Sequence, residues 1–401
     1  MQASTLPRLL YFGDVPIEST VAGSALLYRL LDNYPADKLH IIETNIASSN
    51  LKHRLPDVPY QVLPYAYKPL LKNRFFREYN SFLFAVARYR TKALKEINCS
   101  FQAEAVLTVA HGISWLTAAA FAEKFNLPLH LIVHDDWISF TPAIQGFKKL
   151  LEQKFKGYYQ QAKSRFCVSP YMADKYKERY GIDGIVLYPS RGTDVPEVVY
   201  PPNKVKDQIL AKHFVYAGSI HSQGQANNLI TLARILETIG GKLFVYTPLD
   251  LEASTKFGLN RKNIIIKSVI PSRALIAELQ STMDILFVPM NFDLDAKNNM
   301  ELCFPSKLAD YTAIGLPLLI WGPSYCSAVQ WSKQNPNVAA VVEEQSVESL
   351  EKAVQKLVNL PDYRYELAMN ALTTGQRYFS HTNVQEKFFC HLRNSKPTYL
   401  G

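Results

Sequence analysis

Short runs of apolar residues alternate with amphipathic segments along the first half of the chain. The runs cover residues 9–12, 39–42, 105–109 and 129–133, and segments with helical spacing lie between them. Runs of this length without a polar face are typical of parallel strands that are buried on both sides. The pattern therefore predicts a doubly wound α/β domain.

The second half repeats this alternation after an irregular, proline-containing stretch. Apolar runs at residues 214–218, 242–246, 284–289 and 318–323 predict a second parallel sheet. The prolines and the lack of periodicity before them indicate an interdomain linker. We expect an N-terminal domain at residues 1–195, a linker at 196–210, a C-terminal domain at 211–378, and a final helix at 379–401 that returns to the first domain.

The stretch at residues 304–317, FPSKLADYTAIGLP, is the most informative part of the sequence. A strand and a polar loop at 291–300 precede it, Pro305 and Ser306 predict a capped helix start, and Gly315 predicts its end. A helix that opens at the carboxyl end of a strand favours an anionic ligand. Asp310 lies on the same helical face as Ser306, where its carboxylate could accept two vicinal hydroxyls. A surface helix with an ordinary cap and a solvated aspartate is the alternative.

Two consecutive predicted strands each end in a histidine, His111 and His134. Ligands of α/β proteins bind at this edge of the sheet. A neutral imidazole there can donate to a sugar hydroxyl or a phosphate, or accept a proton. A packing role is the alternative for His111. We predict no metal at His134, Asp135 and Asp136, because neighbouring residues of a strand point to opposite faces.

Length and composition narrow the class of protein. A chain of 401 residues with 48% hydrophobic and 20% charged residues is long enough for two globular domains. No apolar run reaches the roughly 18 residues that cross a bilayer, and no signal-peptide core is present. Five cysteines without C-x-x-C spacing favour reduced thiols. We therefore expect a cytoplasmic protein. The first loop lacks G-x-G-x-x-G spacing, which disfavours a dinucleotide-dependent oxidoreductase.

A basic and aromatic segment lies between residues 51 and 100. It holds ten lysines and arginines, among them Lys72, Arg74 and Arg77, and only three acidic residues. Such a segment suits an anionic membrane surface, which predicts peripheral association with the inner face of the membrane. Nucleic acid attracts the same charges, but no nucleic-acid-binding module accompanies them, so we expect no nucleic-acid partner. An ordinary helix with solvated arginines is the alternative.

The pattern Pro305-Ser306-Lys307-Leu308-x-Asp310-Tyr311-x-x-x-Gly315-x-Pro317 resembles the C-terminal signature of family-4-type glycosyltransferases. The resemblance implies the GT-B fold, α/β with two Rossmann-like doubly wound domains facing a central cleft. It implies retaining, metal-independent transfer from a nucleotide-sugar donor to a hydroxyl of a glycan or lipid-linked acceptor. It implies no separate cofactor.

The resemblance also implies roles for individual residues. Asp310 matches the acidic residue that binds the ribose. The family pattern places a second glutamate eight residues earlier, where this chain has Leu302, with Glu301 one residue out of register. Glu301, Asp293 or Asp295 is expected to contact sugar hydroxyls. The implied sites are catalytic (His134, Glu301), donor-binding (Gly218, Ser219, Val269, Ile270, Pro305, Ser306, Lys307, Asp310) and acceptor-side (Gly13, Gly23, His111).

One departure from the family concerns the diphosphate. Relatives place an arginine directly after the glycine of the first strand of the second domain, and a lysine a few residues later. This chain has Ser219 at the first position, and Gln223 or Gly224 at the second. The departing diphosphate needs positive charge, for which the sequence offers four candidates: Lys307, Arg191, Arg273 and His221. A catalytically weak or silent relative, or an α/β binding protein with a hinge, are the competing interpretations.

Overall fold

The computed structural model describes residues 6–20, 22–44, 48–65, 75–137, 141, 143–207 and 210–393. The predicted membrane-surface residues Lys72 and Arg74 lie outside these ranges. The described chain divides into two compact units. The first unit contains the residues up to Tyr188 and those from Val384 onward, and the second runs from Pro189 to Asn383. Within the described ranges, no helix combines the length and the apolar character needed to span a bilayer.

The first unit is built on a parallel sheet. Its strands are β1 (Leu9–Phe12), β2 (Leu39–Glu43), β3 (Tyr60–Val62), β4 (Ala105–Val109), β5 (Leu129–Val133), β6 (Ser164–Cys167) and β7 (Ile185–Val186). Its helices up to Tyr188 are α1 (Ala22–Leu31), α2 (Phe76–Val86), α3 (Thr91–Phe101), α4 (Ser114–Lys124), α5 (Gln145–Gln161) and α6 (Pro170–Tyr180), with 3-10 turns at Ala36–Lys38, Leu51–His53 and Ala87–Arg90.

The strand order of this sheet is β3-β2-β1-β4-β5-β6-β7. All described pairings are parallel, with Leu9 opposite both Leu39 and Ala105. Strands β1, β4 and β5 are buried along their whole length, as their apolar runs predict. Strand order reverses direction between β1 and β4, so the loops after these two strands flank the switch point where such sheets bind ligands.

The second unit repeats the plan. Its strands are β8 (His213–Ala217), β9 (Lys242–Tyr246), β10 (Ile264–Lys267), β11 (Ile285–Pro289), β12 (Leu318–Trp321) and β13 (Ala340–Val342). Its helices are α7 (Gln223–Thr238), α8 (Leu251–Lys256), α9 (Ser272–Thr282), α10 (Lys297–Leu302), α11 (Lys307–Tyr311), α12 (Ser327–Gln334), α13 (Val347–Asn359) and α14 (Pro361–Phe379), with 3-10 turns at Asn203–Lys206 and Leu294–Ala296.

The second sheet has the order β10-β9-β8-β11-β12-β13, again entirely parallel in its described pairings. The order is that of a Rossmann fold, and its switch point lies between β8 and β11. Phe214 of β8 is opposite Ile285 of β11. The residues that follow these two strands, from Gly218 and from Met290 onward, are therefore neighbours at one edge of the sheet.

The last helix, α15 (His381–Arg393), packs on the first unit. The ring of Phe389 meets Tyr34 edge-on at a centroid distance of 5.5 Å, and Phe388 lies 5.2 Å from Phe166. Gln385 is buried, and its Nε2 donates to Asp32 Oδ1 at 2.8 Å. These contacts tie the end of the described chain to the core that β1, β2 and β4 build.

The segment predicted as a polar loop at 291–300 is instead mostly helical. Residues 294–296 form a 3-10 turn that runs directly into α10. The sequence KNNMEL contains good helix formers, and tertiary contacts stabilise this short helix. The amide of Asn291 donates to Met300 Sδ at 3.3 Å, and Cys303 Sγ lies 2.7 Å from Asn299 Oδ1.

Candidate functional site

A turn that follows β8 lies at the switch point of the second unit. Tyr216 shapes this turn, because its hydroxyl donates to Ser219 O at 2.6 Å and accepts from Gln225 Nε2 at 2.6 Å. Gly218 has φ +150°, a conformation that favours glycine. The amide of Ala217 donates to the hydroxyl of Tyr311 at 2.6 Å. This bond ties α11 directly to the end of β8.

Lys307, in the first turn of α11, reaches the same turn. Its Nζ lies 3.8 Å from the ring centroid of Tyr216, and a side-chain carbon built on Gly218 would lie 3.2 Å from it. Within the described residues, no carboxylate forms an ion pair with this ammonium. Although part of the side chain reaches solvent, the protein atoms packed around it lower the pKa of Lys307 to about 7. The site thus places the amino group of Lys307 on an aromatic face, beside the backbone of Gly218.

Helix α11 is shorter than predicted and begins differently. The expected capping by Ser306 is wrong: Ser306 already has helical angles, φ −56° and ψ −27°, and its side chain makes no cap hydrogen bond. The Pro305 and Ser306 carbonyls accept from the amides of Leu308 and Ala309 instead, each at 3.0 Å. The helix ends at Tyr311, and turns lead on to Gly315 at φ +79°. A five-residue helix has a weak dipole, so the positive charge here comes chiefly from Lys307.

Asp310 is half-buried one position before Tyr311. Its carboxylate favours the protonated form of the nearby Arg191, although burial outweighs this and lowers the pKa of Arg191 to about 10. The Arg191 guanidinium is occupied: Nε donates to Ala309 O at 3.1 Å, Nη2 to Thr312 O at 2.9 Å, and Nη1 to Gln376 Oε1 at 2.9 Å. Arg191 therefore supports the C-terminal end of α11, which removes it from the candidates for a diphosphate-binding cation.

The first turn of α7 lies close to the loop after β11. Ser222 caps this helix by accepting from the amide of Gln225 at 3.2 Å. A side-chain carbon on Gly224 would overlap Asp293 Oδ2 and lie 2.5 Å from Asn291 Oδ1. Both oxygens belong to side chains of the loop after β11, and Asp293 is exposed, so a side chain at position 224 would have to displace these two side chains.

The other predicted donor residues lie around the same edge. Val269 is 54% exposed after β10, and Ile270 is partly buried beside it. Glu301 is partly buried near Tyr325. Burial is the largest cause of the raised pKa of Tyr325, and the negative charge of Glu301 adds to it. Asp293, Asp295, Arg273 and His221 are exposed.

In the first unit, His111 and His134 follow β4 and β5. His134 is partly exposed, yet burial lowers its pKa to about 4; Asp135 opposes this shift and His111 adds to it. His111 is exposed, with its ring 6.4 Å from that of Trp137. The imidazole of His134 is therefore neutral at pH 7 and can donate or accept a hydrogen bond.

Asp136 has a different role from His134. It is buried, and it accepts from the hydroxyl of Tyr176 at 2.9 Å and from Arg179 Nη1 at 3.0 Å. These contacts tie the end of β5 to α6. The carboxylate is occupied by an ion pair and a hydrogen bond, so its role at this edge is structural, and removing one partner would leave a buried charge uncompensated.

Asp14 is the residue of the first loop that sequence reasoning missed. It is buried, and Oδ2 accepts from the amides of Ile113 and Ser114 at 2.5 and 2.8 Å. Oδ1 accepts from the hydroxyls of Ser114 and Thr44, each at 2.8 Å. Asp14 thus caps α4 from another strand's loop and fixes the segment that carries His111. Its position after Gly13 was the only signal, and the sequence does not show which helix it caps.

The two predicted acceptor-side glycines, Gly13 and Gly23, differ in the space around them. A side-chain carbon on Gly13 would overlap the hydroxyl of Tyr11, which donates to Val15 O at 2.5 Å, so this position is sterically closed. Gly23 lies inside α1, and the nearest atom to such a carbon is 3.9 Å away. Of these two glycines, packing therefore requires Gly13 and not Gly23.

No family model and no curated protein sequence matches the chain. Solved structures do. Sucrose-phosphate synthase from Thermosynechococcus elongatus has a TM-score of 0.68 at 13% identity, covering 96% of this chain and 98% of that one. HepE from Anabaena, solved with UDP-glucose, has a TM-score of 0.65 at 12% identity, covering 96% and 99%. A glycosyltransferase from Rickettsia africae has a TM-score of 0.65 at 14% identity, covering 97% and 99%.

The similarity to these structures covers both units, and it confirms the predicted fold class. The chain has the α/β GT-B fold, with two Rossmann-like domains built on parallel sheets. At 12 to 14% identity the likeness concerns the fold. The chemistry has to be argued from the residues at the two switch points.

Proposed function

We propose that this protein is a glycosyltransferase that moves a sugar from a nucleotide-sugar donor to an acceptor hydroxyl. The main support for the proposal is the position of Lys307. Its ammonium lies beside Gly218 at the switch point, and it forms no ion pair with any residue that the structure describes. Neighbours of the same fold include a synthase of a sugar phosphate and HepE bound to UDP-glucose. A diphosphate ester is an anion that suits such a place.

The donor fits around this cation in three parts. Lys307 and the backbone at Gly218 and Ser219 would hold the diphosphate. Asp310, near the C-terminal end of α11, would accept both ribose hydroxyls. The exposed side chain of Val269, with Ile270, would offer an apolar surface to the base.

The transfer step follows from this arrangement. The bond between the anomeric carbon and the diphosphate oxygen breaks, and the electron pair leaves with the diphosphate. Lys307 stabilises the negative charge that develops there. A bond forms between the anomeric carbon and the acceptor oxygen, on the face from which the diphosphate departs, so the anomeric configuration is retained. The acceptor proton passes to the departing phosphate oxygen.

His134 and Glu301 complete the proposed chemistry. His134 is neutral at pH 7, so it can donate a hydrogen bond to the sugar without adding a charge. Glu301 would accept from a sugar hydroxyl. Because Lys307 supplies the charge that stabilises the diphosphate, we propose no metal in this step. The acceptor is proposed to be a glycan or a lipid-linked glycan, on the cytoplasmic side.

A second candidate function has a specific observation in its favour. The resembling family places an arginine at the position of Ser219 and a lysine at that of Gln223 or Gly224, so this chain has one basic side chain beside Gly218, Lys307, in place of two. A protein of this kind could bind a nucleotide-sugar without transferring it, and assist another transferase.

A thermal-shift screen with nucleoside diphosphates, followed by an assay of donor hydrolysis, tests both candidates. A transferase shows stabilisation by one nucleotide and slow release of it from the matching nucleotide-sugar. A silent relative shows the stabilisation alone. If no nucleoside diphosphate stabilises the protein, both candidate functions are contradicted.

A further inference from the structure

Helix α2 and the turn after it expose three large aromatic rings in a row. Phe75 is 61% exposed, Phe82 55% and Tyr89 67%. Seven residues make about two helical turns, so the three rings lie along one side of the segment, which we name the aromatic stripe. The opposite side is core, with Leu83 and Phe84 buried. Three large exposed rings along one side of a segment mark a candidate interaction surface.

Exposed charged side chains lie on the same segment as the aromatic stripe. Four are basic, Arg77, Arg88, Lys92 and Lys95, and within the described residues none of them forms an ion pair with a carboxylate. Two are acidic, Glu78 and Glu96. Arg88 Nη2 donates to the hydroxyl of Tyr89 at 3.0 Å. Apolar rings and a net positive charge therefore share this segment.

The start of helix α5 lies beside α2. The amide of Ile144 donates to Ser81 Oγ at 3.2 Å, and Ile144 is 41% exposed. The rings of Phe147 and Phe84 stack with their centroids 6.3 Å apart. Helix α5 therefore packs against the side of α2 that carries Ser81 and Phe84, and leaves Phe82 exposed.

We propose that the aromatic stripe and its flanking cations bind an anionic lipid bilayer. Aromatic rings enter the interface between headgroups and acyl chains, and each cation near an anionic surface raises partitioning about fivefold. A symmetric contact with a second copy would bring Arg77, Arg88 and Lys92 of both copies together, and like charges oppose that arrangement. The proposal is independent of the donor site, which lies in the second unit.

The test is co-sedimentation of the full-length protein with vesicles. One set contains phosphatidylcholine alone, the other an equimolar mixture with phosphatidylglycerol. We expect binding to the anionic set only, and weaker binding as salt is raised. The triple variant Phe75→Ser, Phe82→Ser, Tyr89→Ser and the charge variant Arg77→Glu, Arg88→Glu, Lys92→Glu should each lower partitioning by at least about 100-fold.

Matched controls come from the second unit. Leu251→Ser, Val347→Ser, Leu360→Ser removes exposed apolar side chains there, and Lys242→Glu, Lys262→Glu, Lys352→Glu reverses exposed charges. Both controls should bind vesicles like the parent protein. Lack of binding by the parent protein, or equal loss in the controls, overturns the proposal. A dimer that the stripe variant dissociates would assign the surface to a second copy instead.

Discussion

The ammonium of Lys307 lies 3.8 Å from the ring centroid of Tyr216, with no carboxylate partner in the described chain. The same tyrosine holds the turn after β8 through its hydroxyl. One aromatic side chain therefore positions both the backbone and the cation of the proposed diphosphate site. We propose that this pair takes the place of the arginine and lysine that the resembling family has at the positions of Ser219 and of Gln223 or Gly224.

Donor affinity should fall as the pH rises above 7. The pKa of Lys307 is about 7 in the free protein, and a bound diphosphate raises it, so binding takes up a proton between the two values. At a pH well above 7, each further unit should weaken nucleotide-sugar binding by up to about tenfold. Calorimetry at pH 8 in two buffers of different ionisation enthalpy measures the uptake. Proton release, or no exchange, would be inconsistent with this role.

Asp310→Asn should abolish the preference for ribose over its dideoxy analogue. The carboxylate is proposed to accept from both ribose hydroxyls, which contribute about 1 to 3 kcal/mol. The parent protein should bind the nucleoside diphosphate about 5- to 150-fold more tightly than its 2′,3′-dideoxy form. The variant should bind both alike.

The comparison between two ligands controls for indirect damage to helix α11, since Asp310 also favours the charge of Arg191. A structural effect would weaken both ligands equally and leave their ratio unchanged. A ratio that persists in Asp310→Asn would therefore remove Asp310 from the ribose site.

His134 should remain neutral down to about pH 5. Burial lowers its pKa to about 4, whereas an unperturbed histidine titrates near pH 6.5. Nuclear magnetic resonance of imidazole-labelled protein follows the titration, and His134→Gln identifies the signal. A midpoint close to 6.5 would mean that His134 is not enclosed in this way.

Gly112→Ala should destabilise the first unit more than Gly181→Ala does. Both glycines have positive φ, +62° and +74°, so both alanines cost about 1 to 2 kcal/mol of backbone strain. Only at Gly112 would the new methyl group overlap Asp14 Oδ2; nothing lies within 4 Å at Gly181. Loss of the Asp14 hydrogen bonds should add about 1 to 3 kcal/mol.

Hydrogen exchange followed by mass spectrometry measures this difference within each unit. Peptides from β4 and α4 should exchange faster in Gly112→Ala, while those from β11 and β12 stay unchanged. Equal effects of the two alanines would show that Asp14 contributes nothing at this position.

Much of the fold could be predicted because its strands are buried on both faces. The continuous apolar run at Ala105–Val109 shows this, since no polar face interrupts it. The edge strand Tyr60–Val62 was missed because it is short and mostly exposed. Helix α10 was mistaken for a loop, since contacts such as that between Asn291 and Met300 decide its structure.

The candidate site was predictable only in part. Lys307 and Asp310 could be found because they belong to one local pattern, PSKLAD. The role of Arg191 could not, because it depends on carbonyls of α11 that are far away in the sequence. The same holds for Tyr216 beneath Lys307 and for Asp14 at the start of α4.

The most direct test of the proposed donor site is calorimetric titration of Lys307→Met with the nucleoside diphosphate that stabilises the parent protein most. Losing one charged contact to phosphate should cost about 1.5 to 3 kcal/mol, or roughly 10- to 100-fold in affinity. Lys356→Met is the matched control, because its ammonium also lies over a tyrosine ring, at 3.7 Å from that of Tyr363. We expect weakened binding in Lys307→Met and parental affinity in Lys356→Met. Unchanged affinity in Lys307→Met would contradict the proposed role of Lys307 at the diphosphate.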